Sequence, residues 1–99
     1  MGKRKITIKR SVADSIAQAA WYIESKGMLD TAERFSDSVY DFFEQVSDER
    51  KSYRICRDPE RALLGFKCLS FNKKYTVVFI ETKSAVTICE FIPSKLIRW

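Results

Sequence analysis

The first quarter of the chain changes from a two-residue hydrophobic period to a helical one. Residues 5–10 read KITIKR, so Ile6 and Ile8 fall on one side, and this alternation predicts a short, half-buried β-strand. Apolar residues then recur at helical spacing between positions 12 and 23. Gly27 suits the left-handed conformation in which many helices end. The pattern therefore predicts a strand followed directly by an amphipathic helix.

A second amphipathic helix carries the clearest 3.6-residue stripe in the sequence. Its apolar positions are Ala32, Phe35, Val39, Phe42, Phe43 and Val46. Both helices also begin with residue pairs that have the spacing of a capping box, Ser11 with Asp14 and Asp30 with Glu33. Two such helices joined by a few residues form an αα-hairpin, and neither can bury its stripe alone. The hairpin therefore needs a sheet or a partner to cover it.

The second half of the chain begins with a polar stretch and then returns to β-type patterns. Residues 47–60 are polar and contain an Asp-Pro step, which predicts a loop. Residues 62–71, ALLGFKCLSF, predict a strand in which Gly65 marks a bulge or a close backbone approach. The following NKK predicts a turn, because Asn72 tolerates a positive φ.

Two further strands complete the predicted architecture. Residues 75–81, YTVVFIE, are rich in β-branched and aromatic side chains and apolar on both faces, which is typical of a central strand. Residues 85–92, AVTICEFI, form the last strand, and Pro93 ends it. The element order is β-α-α-β-β-β within a single domain, residues 1–99. We therefore predict an α+β fold in which an N-terminal helical hairpin packs on one face of an antiparallel sheet.

The charge is distributed unevenly along the chain, and this narrows the classes of partner. The net charge is +5. Residues 1–10 hold five cations and no acid, residues 11–50 three cations against nine acids, and residues 51–99 ten cations against four acids. Such asymmetry predicts one face that could meet a polyanion and another that would avoid it. From charge alone, a solvated surface without a function is an equally good interpretation.

Cysteine usage and hydropathy argue against several functions. The three cysteines lack a C-x-x-C spacing and the chain has no histidine, which makes a metal site improbable. Cys68 and Cys89 lie in apolar strand-like runs, so we interpret them as small buried hydrophobic residues in a reducing cytoplasm. No apolar run approaches the roughly 20 residues that span a bilayer. We expect no metal, no cofactor and no membrane contact.

Four segments carry a resemblance to a known family. They are AAWYIESKG on the first helix, TAERFSDSVYDFFEQV on the second, GFKCLSFNKKYTVVFIE on the middle strands, and VTICEFI followed by PSKLIRW at the end. Together with the order of the elements, they resemble the ParE/RelE superfamily of bacterial toxins. The resemblance covers nearly the whole chain and rests on architecture and diffuse pattern, because this family has no short invariant motif.

The resemblance implies the toxin of a type II toxin–antitoxin module of the plasmid-stabilisation kind. Its partner would be a cognate antitoxin, whose C-terminal segment wraps the toxin with a helix and often an added strand. The groove between the helical hairpin and the sheet, or an open sheet edge, would receive that segment. RelE-like members act on the ribosome and cleave mRNA, whereas ParE-like members inhibit DNA gyrase by binding. A homodimer and a toxin–antitoxin heterotetramer are both compatible with the resemblance.

The ribonuclease branch requires groups that this chain supplies only in part. RNA cleavage through the 2′-hydroxyl needs a base, cations for the phosphorane charge and an acid for the leaving oxygen. By resemblance, Lys67 and Lys95 match basic positions of the RelE-like site. Thr76 stands where that site has an arginine, and Trp99 lies near its terminal tyrosine, so a fork of donors and a practical acid are missing. Lys67 and Lys95 are therefore weak catalytic candidates, and binding is favoured over catalysis.

The candidate target-binding residues are mainly cations near the sheet and the C-terminus. They are Arg57, Arg61, Lys67, Lys73, Lys74, Tyr75, Lys95, Arg98 and Trp99. Structural alternatives stay open, since Lys67 could face solvent on an alternating strand and the arginines could merely pair with Asp58 and Glu60. Two other functions also stay open: a toxin fold that has lost its toxicity, and an unrelated nucleic-acid-binding domain.

Overall fold

A computed structural model describes residues 4–48 and 53–96 of the chain. The predicted α+β class and the order β-α-α-β-β-β are confirmed, with two short helices added in the second half. The elements are β1 (Lys5–Ile8), α1 (Arg10–Ser25), α2 (Leu29–Val46), α3 (Pro59–Leu63), β2 (Lys67–Phe71), β3 (Tyr75–Glu81), β4 (Ala85–Pro93) and a 3₁₀ helix (Ser94–Leu96).

The four strands form one mixed sheet in the order β1-β4-β3-β2. The pairs β2–β3 and β3–β4 are antiparallel, as predicted, and β3 is a central strand. β1 differs from the prediction because it runs parallel to β4, with Lys5 opposite Ala85 and Ile8 opposite Ile88. Parallel neighbours need a long crossover connection, and the helices together with β2 and β3 lie between these two strands in the chain. Antiparallel pairing is therefore confined to the neighbouring pairs of the three C-terminal strands.

The αα-hairpin packs on one face of the sheet and builds the main core. Ile16 of α1 and Val39 and Phe43 of α2 are buried in one cluster with Val77 and Phe79 of β3. The apolar stripe predicted for α2 is thus the surface that meets the sheet. Since the hairpin closes this face, a site for a partner must use the ends, the edges or the opposite face of the sheet.

The capping boxes predicted for the two long helices are wrong. Each helix starts one residue before its predicted cap, so Ser11 and Asp30 are helical and neither helix has a side-chain cap. At the start of α1, the backbone N–H of Lys9 donates to the carbonyl oxygen of Ile88 at 3.2 Å. The strand pairing therefore runs directly into the helix. Gly27 has φ +81° after α1, as predicted.

The stretch predicted as one strand over residues 62–71 is divided between a helix and a strand. The side chain of Asp58 accepts a hydrogen bond from the backbone N–H of Arg61 at 3.4 Å, and Pro59 is the first residue of α3. Gly65 adopts φ +80° after this helix and marks no bulge. The Asp-Pro step interpreted as a loop is a helix start, because aspartate caps and proline suits the first helical position.

A disulfide joins Cys56 to Cys68, whose Cα atoms lie 4.8 Å apart. The interpretation of Cys68 as a small buried hydrophobic residue is therefore wrong, because its sulfur is bonded to that of Cys56. An isolated antiparallel bridge joins Ile55 to Lys67 and holds the segment around Ile55 beside β2. The loop prediction did not include this contact. Cys89 is buried and unpaired, as predicted. Because disulfides persist in oxidising surroundings, the cysteines no longer support a reducing cytoplasm.

Candidate functional site

Three exposed lysines are carried by two segments that meet at one end of the sheet. The turn between β2 and β3 carries Lys73 and Lys74, and the 3₁₀ helix after β4 carries Lys95. The backbone N–H of Ser94 donates to the carbonyl oxygen of Lys74 at 2.9 Å and ties the two segments together. We call this cluster the lysine end (Lys73, Lys74 and Lys95). Three of the predicted target-binding residues are thus brought to one place.

The turn that carries two of these lysines has a fixed left-handed shape. Asn72 has φ +54°, as predicted, and Lys73 has φ +62°. The backbone N–H of Lys74 donates to the carbonyl oxygen of Phe71 at 3.2 Å and closes the turn. Consecutive positive φ values match the twist of a two-stranded hairpin. The lysines are therefore presented on a tight turn at the tip of the β2–β3 hairpin.

Tyr75 lies beside the lysine end and is held by other aromatic rings. Its ring stacks on Phe91 at a centroid distance of 4.7 Å and is tilted against Phe35 at 5.7 Å. The side chain is half-buried, and Tyr75 pairs with Pro93 across β3 and β4. The predicted target-binding tyrosine therefore forms a rigid aromatic base where the sheet meets the lysine end.

Lys67 lies at the other end of β2 and is engaged in an ion pair. Its ammonium group contacts a carboxylate oxygen of Glu81, and Arg4 contacts the second oxygen at 2.8 Å. The Glu81 side chain is only 11% exposed. Burial acts to raise the pKa of Glu81, but the bonds from Lys67 and Arg4 outweigh it and hold that pKa below its ordinary value. We call these residues the Glu81 network (Arg4, Lys67 and Glu81).

Arg4 is the residue of this network that the sequence did not reveal. Its guanidinium donates to the carbonyl oxygens of Val46, Ser47 and Thr82 at 3.1–3.4 Å. The last turn of α2 contains no basic residue, and the carbonyl groups at a helix C-terminus lack partners within the helix. An arginine distant in sequence supplies those partners. The missing basic residue in the last turn of α2 was the signal that could have pointed to it.

Arg61, another predicted target-binding residue, fastens α3 to the sheet. Its Nε and Nη2 atoms donate to the two carboxylate oxygens of Glu90 on β4 at 2.9 and 2.8 Å. Its Nη1 atom donates to Asp58 at 2.8 Å. The hydrogen bond with Glu90 is the largest of the effects that raise the pKa of Arg61 above its ordinary value. Arg61 therefore has a structural role, whereas Arg57 nearby is exposed.

The remaining positions of the predicted ribonuclease site do not converge. Thr76 is fully buried, and its hydroxyl is 2.9 Å from that of Ser94, which links β3 to the 3₁₀ helix. Lys67 and Lys95 lie toward opposite ends of the sheet, since Lys67 pairs with Phe79 and Lys95 follows the far end of β4. Arg98 and Trp99 lie outside the described residues.

The edge of β4 is open beyond the end of β1. β1 pairs only with Ala85–Ile88, and within residues 4–48 and 53–96 no strand is paired with the next four positions of β4 on that side. These positions line a cavity of about 210 Å³ together with Ser11, Val12 and Ser15 of α1. Burial raises the pKa of the Cys89 thiol in this wall. This is an open sheet edge beside the helical hairpin.

None of the described helices combines the length and apolarity needed to cross a membrane. Within residues 4–48 and 53–96, no group of three or more His, Cys, Asp and Glu side chains is arranged to hold a metal ion.

Comparison with known proteins gives a match at the level of structure alone. No model of a protein family matches the chain, and no curated protein matches it in sequence. Among solved structures, the chain is similar to one from the "Chromosomal ParDE TA system from P. aeruginosa", with a TM-score of 0.74 and 10% sequence identity. The match covers 92% of this chain and 96% of that one. This chain therefore has the fold of a ParDE toxin–antitoxin protein, the ParE/RelE-like fold that its sequence predicted.

Proposed function

We propose that this chain is the toxin of a type II toxin–antitoxin module and acts by binding its target, in the manner of a gyrase inhibitor. The fold shared with a chain of a ParDE system supports the module. The proposal that it acts by binding rests on the separation of the exposed lysines at one end of the sheet from the cations that are paired with carboxylates. Lys73, Lys74 and Lys95 are exposed together at one end of the sheet. By contrast, Lys67 is paired within the Glu81 network, and Arg61 is paired with Glu90 and Asp58.

The lysine end fits recognition of an anionic surface. Its three ammonium groups are exposed, and its neighbours Tyr75 and Pro93 carry no negative charge. Cations of this kind steer association and set specificity more than they add affinity. A target such as DNA gyrase, with DNA nearby, would present such an anionic surface. Arg57, Arg98 and Trp99 stay predicted contributors to the same function.

The ribonuclease alternative has less support in this geometry. The chain contains no histidine, and the lysines proposed for RNA cleavage lie toward opposite ends of the sheet. Thr76 offers a buried hydroxyl bonded to Ser94 where a RelE-like site needs an arginine. Among the described residues, no arginine takes the place of the phosphate clamp beside the lysine end, which favours binding over cleavage of RNA.

The open edge of β4 is the proposed antitoxin site. Backbone groups of an extended segment would pair with this edge, while the cavity beside α1 would receive alternate side chains. Lys9 and Arg10, both exposed at the start of α1, border the same edge and favour an acidic segment. A partner bound here would leave the main core untouched.

The test is tightly repressed induction of the chain alone in a bacterium, with growth and new 5′ ends in translated mRNA followed together. We expect growth arrest without cuts inside codons, and a loss of supercoiling by purified gyrase. Lys73→Glu combined with Lys74→Glu should relieve the arrest. Lys83→Glu, on the exposed turn between β3 and β4, is the matched control and should not.

Arrest with cuts inside codons would favour the ribonuclease alternative over this proposal. Unimpeded growth with soluble protein present would instead point to a toxin fold without toxicity. Arrest that persists in the Lys73→Glu/Lys74→Glu protein would remove the lysine end from the mechanism while leaving the module in place.

A further inference from the structure

Three large apolar side chains face solvent within one short excursion of the chain. We define the α3 excursion as residues 53–66, which leave and rejoin the edge of β2. Leu63 is 88% exposed, Leu64 is 66% exposed and Ile55 is 53% exposed. Single exposed leucines are ordinary on protein surfaces. Here three exposed apolar side chains lie in one excursion, and two of them are adjacent. Together they offer an apolar surface that a bound partner would remove from water.

This excursion is fixed to the rest of the molecule at several points. The disulfide between Cys56 and Cys68 joins it to β2, and the backbone N–H of Cys56 donates to the carbonyl oxygen of Phe66 at 2.9 Å. Arg61 binds Glu90 through two hydrogen bonds, which anchors α3 to β4. The leucines are therefore presented by a pre-organised segment. Pre-organisation favours binding, because less conformational entropy is lost when a partner docks.

The charges on the excursion indicate the chemistry of the partner. Arg54 and Arg57 are exposed, and Glu60 is the exposed acid beside them. The exposed charges of the excursion are thus net positive, so two copies meeting through this patch would bring like charges together. α3 has five residues and is too short to lie in a lipid interface as an amphipathic helix. An acidic protein segment with apolar anchors fits both the leucines and the arginines.

We propose that the α3 excursion is a docking surface for an acidic, amphipathic protein segment. Ile55, Leu63 and Leu64 take its apolar side chains, and Arg54 and Arg57 face its carboxylates. The surface uses none of the residues of the lysine end and none of the four cavity-lining positions of β4. Arg57 is shared with the predicted target-binding residues, but the function proposed above is tested by growth arrest in variants of the lysine end, so the two proposals can fail independently.

The experiment uses the full chain and two fluorescein-labelled peptides whose binding is followed by fluorescence anisotropy. Both peptides are helical and carry leucines on one face, with glutamates on the other face of the first and lysines on that of the second. We expect the glutamate peptide to bind at least tenfold more tightly than the lysine peptide. Its affinity should fall as salt rises, because the arginines contribute through charge.

Matched double variants locate the surface. Leu63→Ser with Leu64→Ser should weaken binding of the glutamate peptide at least tenfold, and Arg54→Ser with Arg57→Ser at least threefold. Met28→Ser with Leu29→Ser removes an equally adjacent exposed apolar pair from the tip of the αα-hairpin and should leave binding within twofold. All substituted side chains are exposed, so unchanged thermal unfolding is expected and serves as the folding control.

Four results would overturn the proposal. The first is equal binding of the two peptides, and the second is equal loss in the hairpin-tip variant. The third is a wild-type dimer in light scattering that Leu63→Ser with Leu64→Ser dissociates, since a second copy would then occupy the surface. Binding to vesicles of anionic lipid that the leucine variant abolishes, without binding of the glutamate peptide, would likewise replace the protein partner with a membrane.

Discussion

The two ends of the sheet contain similar charged side chains but use them differently. At one end, Lys67 and Arg4 converge on the buried carboxylate of Glu81. At the other, the lysine end stays exposed above Tyr75 and Pro93, neither of which can accept an ion pair through an acidic side chain. The first set of cations stabilises the fold, whereas the second is available to a partner.

Whether a cation of the sheet is structural or available to a partner depends on whether a carboxylate lies beside it. Lys67 is opposite Phe79, and the carboxylate of Glu81 lies two residues further along the same side of β3. Within residues 4–48 and 53–96, no carboxylate forms an ion pair with Lys73 or Lys74 of the hairpin turn. Counting lysines and arginines along the chain cannot separate the two cases, because strand register decides which of them meets a carboxylate.

The largest effect on stability is expected from removing the carboxylate of Glu81, which binds both Arg4 and Lys67. Glu81→Gln leaves the charge of Arg4 buried without a counter-charge, and breaking a buried pair costs roughly 3–5 kcal/mol. Urea denaturation should show this loss in the free energy of unfolding. Glu60→Gln, an exposed carboxylate on α3, is the control and should change it by less than about 0.5 kcal/mol. Equal stability of the two variants would mean that the network contributes nothing.

A second, smaller effect is expected for the disulfide that joins the α3 excursion to β2. Cys56 and Cys68 are separated by 12 positions in sequence, and closing a loop of that size stabilises a protein by about 2–4 kcal/mol. Replacing both cysteines with serine should lower the unfolding midpoint accordingly. Cys89→Ser tests the buried thiol separately. An unchanged midpoint in reducing and non-reducing buffer would show that the cross-link does not form in solution.

The Glu81 network also predicts how stability depends on pH. Since the folded pKa of Glu81 lies below its ordinary value of 4.5, its contribution is complete above that pH and is lost as the pH falls through the folded pKa. The difference in unfolding free energy between wild type and Glu81→Gln should therefore be constant near neutral pH and shrink below about pH 4. Chemical denaturation at a series of pH values measures it. A difference that grows in acid would have the opposite sign and contradict the pairing.

The smallest expected change in stability is at the lysine end. Lys73→Glu with Lys74→Glu alters exposed side chains only and should shift the free energy of unfolding by less than about 0.5 kcal/mol. The same variant is expected to lose growth arrest in the induction experiment described above. Loss of function with full stability would sharpen the contrast between the ends. A large loss of stability would show that these lysines are structural as well.

Periodicity was sufficient for the parts of the fold that are governed by burial. The stripe of α2 and the apolar run of β3 became the core, and Asn72 formed the predicted turn. What failed depended on contacts between distant residues. The parallel pairing of β1, the bond of Arg4 to the end of α2 and the disulfide partner of Cys68 all join segments that a local pattern cannot relate.

For the candidate binding residues too, exposure could be predicted from the sequence, whereas contacts with distant residues could not. Lys73, Lys74 and Lys95 could be proposed as exposed cations, and they are exposed. Lys67 and Arg61 are also cations in the second half of the chain, yet each pairs with a carboxylate on a different element, Glu81 of β3 and Glu90 of β4. The helix α3 was missed, and its residues were predicted as loop and strand, because five residues carry too little periodic signal, although Asp58 and Pro59 were its start signal.

The parallel pairing of β1 with β4 has a consequence for synthesis of the chain. Lys5 and its partner Ala85 are 80 positions apart (85 − 5), so β1 emerges from the ribosome long before the strand that it joins. At about 5–20 residues per second, that wait is roughly 4–16 s. Meanwhile the helical hairpin has been made and its apolar stripe has no sheet to cover it. The nascent chain thus displays for seconds a surface that the finished protein never exposes, and a chaperone or a partner synthesised nearby would meet that surface first.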